Sequence, residues 1–284
     1  MKRINFSIVT LLVVALTLLF ASCTKDGVYK PKKQISKIYQ TILTDPTPEK
    51  VLVESWTWDG KLLSKIDYGD GDIAYFSYEK NQLKTITMGD DLTEITYDGK
   101  LVETMKVYSK DELEATYTFQ HEKNLISGYT VEYEGNSANK AKIARLTENV
   151  FRFIAPEVAQ NEAVCYLKMA DNNLKGKTTR TVTYKYDGKN IVEATSKDGN
   201  SSSTYTYTYT EYLNLFYNFL YNMDFSKNAP ASCEVKDSDL PDYNYTFTYK
   251  VDGKFPTQVT ENLKWSIGAM SYNQTVQTDY EFVK

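Results

Sequence analysis

Few side chains in this chain could carry chemistry. His121 is the single histidine, which removes multi-histidine metal sites and leaves one candidate general base. It stands between Gln120 and Glu122, distant in sequence from Cys165 and Cys233, and no Gly-x-Ser-x-Gly elbow accompanies it. It reads as a solvated histidine of a hairpin turn. Asp67, Asp70 and Asp72 surround Gly69 and Gly71, and Asp90 and Asp91 follow Gly89. Oxygen-rich loops can hold Ca²⁺, but the acid order of an EF-hand, its glycine and its closing Glu are missing. Asp and Gly are also ordinary turn residues. No catalytic residue, metal site or cofactor is assigned.

Aromatic side chains offer a different chemistry. Trp56 and Trp58 share one strand face, Trp265 stands near the C-terminus, and there are 24 tyrosines. Stacking on sugar rings makes Trp56, Trp58 and Trp265 candidate ligand-binding residues. Aromatic pairs on one sheet face are also the standard means of packing a sheet, which is the favoured reading. Among 37 acidic residues, two carboxyls suited to glycoside cleavage can be placed only by a structure.

The elements that must position these groups begin after a processing segment. Lys2 and Arg3 precede an apolar run from Ile4 to Phe20, and the small residues Ala21 and Ser22 lead to Cys23. That is the layout of a secretory signal peptide over residues 1–22. Without it, 31 basic residues face 37 acidic ones, a net charge of −6, which disfavours a nucleic-acid partner and attraction to an anionic lipid surface. Cys165 and Cys233 are compatible with a disulfide or with two small buried residues.

From Thr24 to Pro48 the chain is Lys-rich and broken by Pro31, Pro46 and Pro48, so residues 23–48 read as a tether, with Ile35 to Leu43 able to dock on the body. Residues 49–284 read as one domain of hairpins. Asp-Gly-Lys recurs at Asp59–Lys61, Asp98–Lys100, Asp187–Lys189 and Asp252–Lys254, after an aromatic residue in the first three. Asp-Gly suits the two central positions of a type I′ turn, which need positive φ. Trp58, Tyr78, Tyr97 and Phe119 recur at about twenty residues, the mark of an internal repeat with two strands per unit. Leu213, Phe216, Leu220 and Met223 sit at helical spacing, predicting a helix over Glu211 to Met223, and Pro156 could open another.

Strand alternation separates two faces. Val182, Tyr184 and Tyr186 oppose Thr181, Thr183 and Lys185, and Tyr245, Phe247 and Tyr249 oppose Thr246, Thr248 and Lys250. One covered face is the pattern of an antiparallel sheet. Strands read as mostly five to eight residues, shorter than a bilayer crossing needs, and aromatics run their length instead of forming girdles. Both points favour a body outside the bilayer.

The residues Phe20–Ala21–Ser22–Cys23 resemble a bacterial lipobox, with Phe20 where Leu is usual. That resemblance implies acylation of Cys23, and Thr24 after it implies outer-membrane sorting. The hairpins are similar to degenerate YD repeats of RHS proteins. The mature chain resembles a family of Bacteroidetes lipoproteins of unknown function with a porin-like fold. The resemblance rests on Cys23, the hairpins from Trp56 to Tyr133, Tyr212–Phe216, and Tyr245–Gly253 followed by Phe255–Thr257. It brings no catalytic residue with it.

The expectation is an all-β domain: a long antiparallel meander curled into a porin-like barrel or wound sheet, with one or two short helices. Function is expected to be non-catalytic, an outer-membrane lipoprotein held by lipid at Cys23 that binds or scaffolds a glycan or envelope protein. A polysaccharide hydrolase and a carrier of an apolar ligand are the alternatives. The sheet's surface and the irregular segments Ala138–Met169 and Glu211–Asp242 are the expected places for a site.

Overall fold

The structure, a computed structural model, describes residues 28–69, 71–134, 178–199, 201–217, 225–238, 242–267 and 270–284. Among the described residues sixteen strands follow one another. They are β1 (Ile35–Ile42), β2 (Val51–Asp59), β3 (Leu62–Asp67), β4 (Ile73–Glu79), β5 (Gln82–Met88), β6 (Asp91–Asp98), β7 (Leu101–Ser109) and β8 (Glu112–Glu122). Then come β9 (Leu125–Tyr133), β10 (Thr178–Asp187), β11 (Asn190–Asp198), β12 (Ser201–Leu213), β13 (Asn228–Asp237), β14 (Tyr243–Asp252), β15 (Phe255–Ile267) and β16 (Met270–Phe282). Each pairs antiparallel with its neighbours in sequence, and β1 pairs with β16, so the sheet closes into a barrel. Among the described residues there is no helix.

The closing strand lies within the stretch expected to be tether. Ile35–Ile42 pairs with β2 on one side and with β16 on the other, from Ile35↔Phe282 to Ile42↔Val276. The barrel therefore starts at Ile35 and not at Glu49. A sheet of this size leaves two unpaired edges unless its first and last strands meet, and Ile35, Ile38 and Tyr39 supply the apolar residues for that seam.

The recurrent turn differs in register from expectation. Asp98 pairs with Leu101, so the central residues are Gly99 and Lys100. Gly99 has φ of 59° and Lys100 is absent from the positive-φ residues, as are Lys61, Lys189 and Lys254 in the equivalent turns. Positive φ at the first central residue alone is the type II′ arrangement, with glycine at that place. The turns with both central residues at positive φ contain no glycine: Lys80–Asn81, Lys110–Asp111 and Lys123–Asn124. The aspartate of Asp-Gly-Lys thus ends a strand.

Each of these hairpins carries a bulge at the third residue of its second strand. Trp58 pairs with Leu63, Tyr78 with Leu83, Tyr97 with Val102, Tyr108 with Leu113, His121 with Ile126 and Tyr186 with Ile191; beyond each pair the register shifts by one. An extra residue at each of these hairpins adds twist and curvature, the device by which a sheet coils into a barrel. His121 therefore belongs to a strand, in the position aromatics hold elsewhere.

The aromatic face points inward. On β10, Arg180, Val182 and Tyr184 are buried while Thr179, Thr181, Thr183 and Lys185 are exposed. On β14, Tyr243, Tyr245 and Phe247 are buried while Asn244, Thr246, Thr248 and Lys250 are exposed. Leu63, Ile95, Tyr129, Tyr205 and Val235 are 0% exposed. A water-filled lumen, such as 16-stranded porins hold, would leave such side chains wet. Strands in the second half run to 10–13 residues, longer than expected. Length therefore does not separate this barrel from one in a bilayer. The Thr- and Lys-rich outer face does, because lipid requires an apolar band there.

Candidate functional site

β2 sends Glu54, Trp56 and Trp58 to the interior at period two, and the register of β1 against both its neighbours aligns Glu54, Ile38 and Tyr280 in one row. The two indoles lie 6.1 Å apart at 35°. Tyr29, from the segment before β1, packs on both, at 6.5 Å from Trp56 and 5.9 Å from Trp58. Phe216, from the β12–β13 connection, meets Trp56 at 6.0 Å and Tyr280 at 6.1 Å. Edge-to-face and tilted pairs at these separations are the favourable aromatic geometries.

Every polar atom of the two indoles is used. Trp58 Nε1 donates to the Ile35 carbonyl at 2.6 Å, and Trp56 Nε1 donates to Glu54 Oε2 at 2.6 Å. The Tyr29 hydroxyl donates to the Leu215 carbonyl at 2.8 Å. Trp56 is 6% exposed and presents no free ring face to solvent. For Trp265 the register alone is described, opposite Tyr243 and Tyr272; it is not brought together with Trp56 and Trp58.

Glu54 is the residue in this nest with acid–base capacity. Burial pushes its carboxyl up to about 7, against the opposing pull of the Trp56 hydrogen bond, because an ion is costly among aromatic rings. Tyr280 is held above the usual phenol range by burial and then by the charges of Glu54 and Glu261. Glu261 is 5% exposed and sits between Phe247 and Val276 in register. Two carboxyls thus bear on one phenol inside the wall.

Beside them, Phe216, Pro230, Tyr249, Val259 and Tyr280 line a cleft of about 30 Å³. A space of that size takes one or two waters, far below the roughly 300 Å³ of a ligand pocket.

The connection that carries Phe216 is not the predicted helix. Glu211–Leu213 completes β12, and the Phe216 amide then donates to Asn214 Oδ1 at 3.0 Å. Such a side-chain turn at asparagine competes with helical hydrogen bonding. Asn214 Nδ2 also donates to the Ser226 carbonyl at 2.8 Å, and the Leu213 and Lys227 amides donate to the carbonyls of Lys254 and Lys189. Residues 218–223 of the predicted helix lie outside the described residues.

The same end of the barrel repeats one device. Tyr97, Tyr186, Tyr209 and Tyr249 each donate a hydroxyl hydrogen bond to a carbonyl near the start of the preceding strand: Leu83, Ile126, Ile191 and Pro230, at 2.5–2.8 Å. Trp58 does this with Ile35. Tyr78 holds the equivalent place with a buried hydroxyl that finds no partner.

The remaining sequence candidates lie elsewhere. Asp67 Oδ1 accepts from the Gly69 amide at 3.1 Å, a local turn contact, and buried Asp91 accepts from the Ser109 hydroxyl of the paired strand at 2.7 Å. Among the described residues no group of three or more His, Cys, Asp and Glu side chains could hold a metal ion. Cys233 is 0% exposed, between Tyr207 and Tyr245 in register. Cys23, Cys165, the Pro156 helix start and the segment Ala138–Met169 lie outside the described residues. Sequence reading passed over Glu54, Tyr29, Glu261 and Tyr280. The available signal was Glu54 itself, an acid in the inward register of Glu54-x-Trp56-x-Trp58.

No family model matches the chain, and no curated protein matches it. Among solved structures it is similar to a porin-like protein from Bacteroides uniformis ATCC 8492. That match has a TM-score of 0.52 and 13% identity, covering 90% of this chain and 100% of that one. It is similar also to a porin-like protein from Bacteroides vulgatus ATCC 8482, with a TM-score of 0.51 and 14% identity, covering 89% and 99%. The likeness is one of fold: a porin-like barrel over nearly the whole chain.

Proposed function

We propose that this chain is an exported outer-membrane lipoprotein, held by acyl chains on Cys23, that works without catalysis as a binding or scaffolding module for a glycan or an envelope protein. The observation that carries the reading is the polarity of the barrel. Among the described residues its aromatic face is inside and its outer wall is mostly Thr, Ser, Lys and Glu, with Val51, Leu52 and Tyr75 among a few exposed apolar side chains, so the wall offers lipid no continuous apolar band. Attachment to a membrane then needs a separate device, and the lipobox-like Phe20–Cys23 is one. Two or three acyl chains hold a protein stably where one does not.

The test is fractionation of the full chain and its Cys23→Ala variant in a Gram-negative host, with intact mass of the purified protein. Wild type should sediment with the outer membrane and carry acyl mass, and the variant should not. A variant that still sediments, or a wild type without acyl mass, refutes the anchor. Glycan binding and envelope cross-linking, both negative, would refute the binding role.

One observation favours a second reading, hydrolysis through two carboxyls: those of Glu54 and Glu261 both lie in the barrel interior, and the charge of each acts on Tyr280. A glycosidase of this kind needs two carboxyls flanking a bound sugar, and the adjacent cleft of about 30 Å³ does not admit one. Glu54→Gln abolishing a measured polysaccharide hydrolysis would establish it.

A further inference from the structure

The barrel has two rims, and they differ in charge and in what reaches them. One, the turn rim, carries the connections after β2, β4, β6, β8, β10, β12 and β14, together with the chain entering β1 and leaving β16. Each of its seven connections holds an exposed lysine. Lys61, Lys100, Lys189 and Lys254 occupy the glycine turns, Lys80 and Lys123 the turns with two positive φ, and Lys227 the β12–β13 connection. Six acids, Asp59, Glu79, Asp98, Glu122, Asp187 and Asp252, end the strands one step behind them, and Glu211 and Glu281 stand near the same edge. Lys123 pairs with Glu122 at 3.5 Å. The turn residues lie beyond the last paired residues, so the lysines form the outermost ring and the acids the ring beneath. Lys30, Lys32 and Lys33 on the entering segment add three more cations. At the opposite rim the described connections carry Asp45, Glu49, Asp72, Asp90, Asp111, Glu134 and Asp242 against Lys50 and Lys110, while the sequence of the β9–β10 connection beyond them adds more basic than acidic residues.

The entering segment is fixed to the turn rim. Tyr29 is 2% exposed and bonded to Leu215, Gln34 Nε2 donates to the Gly60 carbonyl at 2.7 Å, and Lys33 pairs with Asp252. From Tyr29 back to Cys23 there are six residue steps, which reach at most about 20 Å whatever their path. Strands of 6–13 residues, tilted as barrels require, separate the rims by roughly 15–30 Å. The path to an anchor at Cys23 thus starts from the turn rim.

We propose that the turn rim faces the bilayer, its lysines seated on the phosphates of lipid headgroups, with the opposite rim turned away. The proposal rests on the acyl-anchor reading of Cys23. The net negative charge of the chain disfavours lipid attraction over the whole molecule, and the lysine ring supplies that attraction locally.

The experiment labels amines of the purified full-length lipoprotein with a water-confined acetylating reagent, read residue by residue by mass spectrometry. It compares detergent with phosphatidylcholine vesicles made with and without phosphatidylglycerol. Expected in the anionic vesicles is a fall of about fivefold in labelling at Lys61, Lys100, Lys189 and Lys254, relieved by salt, with Lys110 and Lys236 unchanged. Replacing those four lysines by Gln should abolish the dependence on phosphatidylglycerol at unchanged melting temperature. Protection of Lys110 and Lys236, protection along the wall at Lys106, uniform labelling, or rim protection indifferent to lipid charge and salt would each overturn the proposal. Intact mass is read first: a chain without acyl mass refutes the anchor, and the proposal falls with it, by a signal distinct from any labelling pattern.

Discussion

The turn rim and the opposite rim are built from the same sixteen strands with the same inward alternation, yet they obey different rules. At the turn rim six of seven connections are two-residue turns. Aromatics next to them bond back to preceding strands, and the entering segment and the β12–β13 connection are stitched across the mouth. At the opposite rim, two-residue connections at 89–90, 110–111, 199–200 and 268–269 stand among longer ones at residues 43–50, 68–72, 134–177 and 238–242. Closure needs a fixed curvature per hairpin, and the bulge with a tight turn that supplies it stands at six connections of the turn rim and at the Tyr108–Leu113 hairpin of the other. A repeat concentrated at one rim is thus a device for holding a barrel shut, and the longer connections opposite it suit recognition.

Removing the centre of the turn-rim nest should break this contrast most. Trp56→Ala deletes the ring that Tyr29, Trp58 and Phe216 surround, and should cost about 3–5 kcal/mol in urea unfolding. Tyr75→Ala, at a residue 53% exposed on β4, should cost under about 0.5 kcal/mol. Equal losses would mean that the nest does not hold the rim.

Next in size is a pH effect. Glu54 titrates near 7 when folded and near 4.3 in an unfolded chain. Between those values the folded state binds more protons, so stability is fully present below about pH 4 and falls as pH rises through 7, by roughly 3 kcal/mol at most. Glu54→Gln keeps an acceptor for the Trp56 indole. Thermal melts of this variant should exceed wild type at pH 8 and lack the decline. An unchanged slope would place the titration elsewhere.

The tyrosine device is tested by pairs. Tyr97→Phe removes the hydrogen bond to the Leu83 carbonyl and should cost about 1 kcal/mol. Tyr78→Phe removes a buried hydroxyl with no partner and should be neutral or stabilising by about 1 kcal/mol. A similar loss in both would show that the hydroxyls do not bond the strands.

Smallest is the turn chemistry. Replacing Lys80–Asn81, with φ of 51° and 66°, by Asn-Gly should raise stability by about 0.5 kcal/mol or more, since both positions favour residues tolerant of positive φ. Asn-Gly at Gly99–Lys100 should give no such gain, because Lys100 is not among the positive-φ residues.

The hairpin array was legible because its physics is local. Alternation of Tyr and Thr on β12 and β14 declares two faces, and an aromatic, a two-residue turn and an apolar residue five positions on declare a hairpin. The Lys110–Asp111 hairpin went unread because neither central residue is the glycine or asparagine expected there. The β12–β13 connection was misread because helical spacing of Leu213 and Phe216 also suits a cap that plugs a barrel, and Asn214 decides between them through one hydrogen bond.

The sequence by itself determined an antiparallel meander with one aromatic face, since side-chain period, turn residues and strand propensity act within a few residues. Only the tertiary structure decided which way that face points, where the sheet closes and what Trp56 and Trp58 do. Those outcomes depend on Ile35–Ile42 meeting β16 more than two hundred residues away, and on Tyr29 and Phe216 arriving at β2 from opposite parts of the chain. A contact between distant segments is selected by the closure of the whole sheet, and no local pattern encodes it.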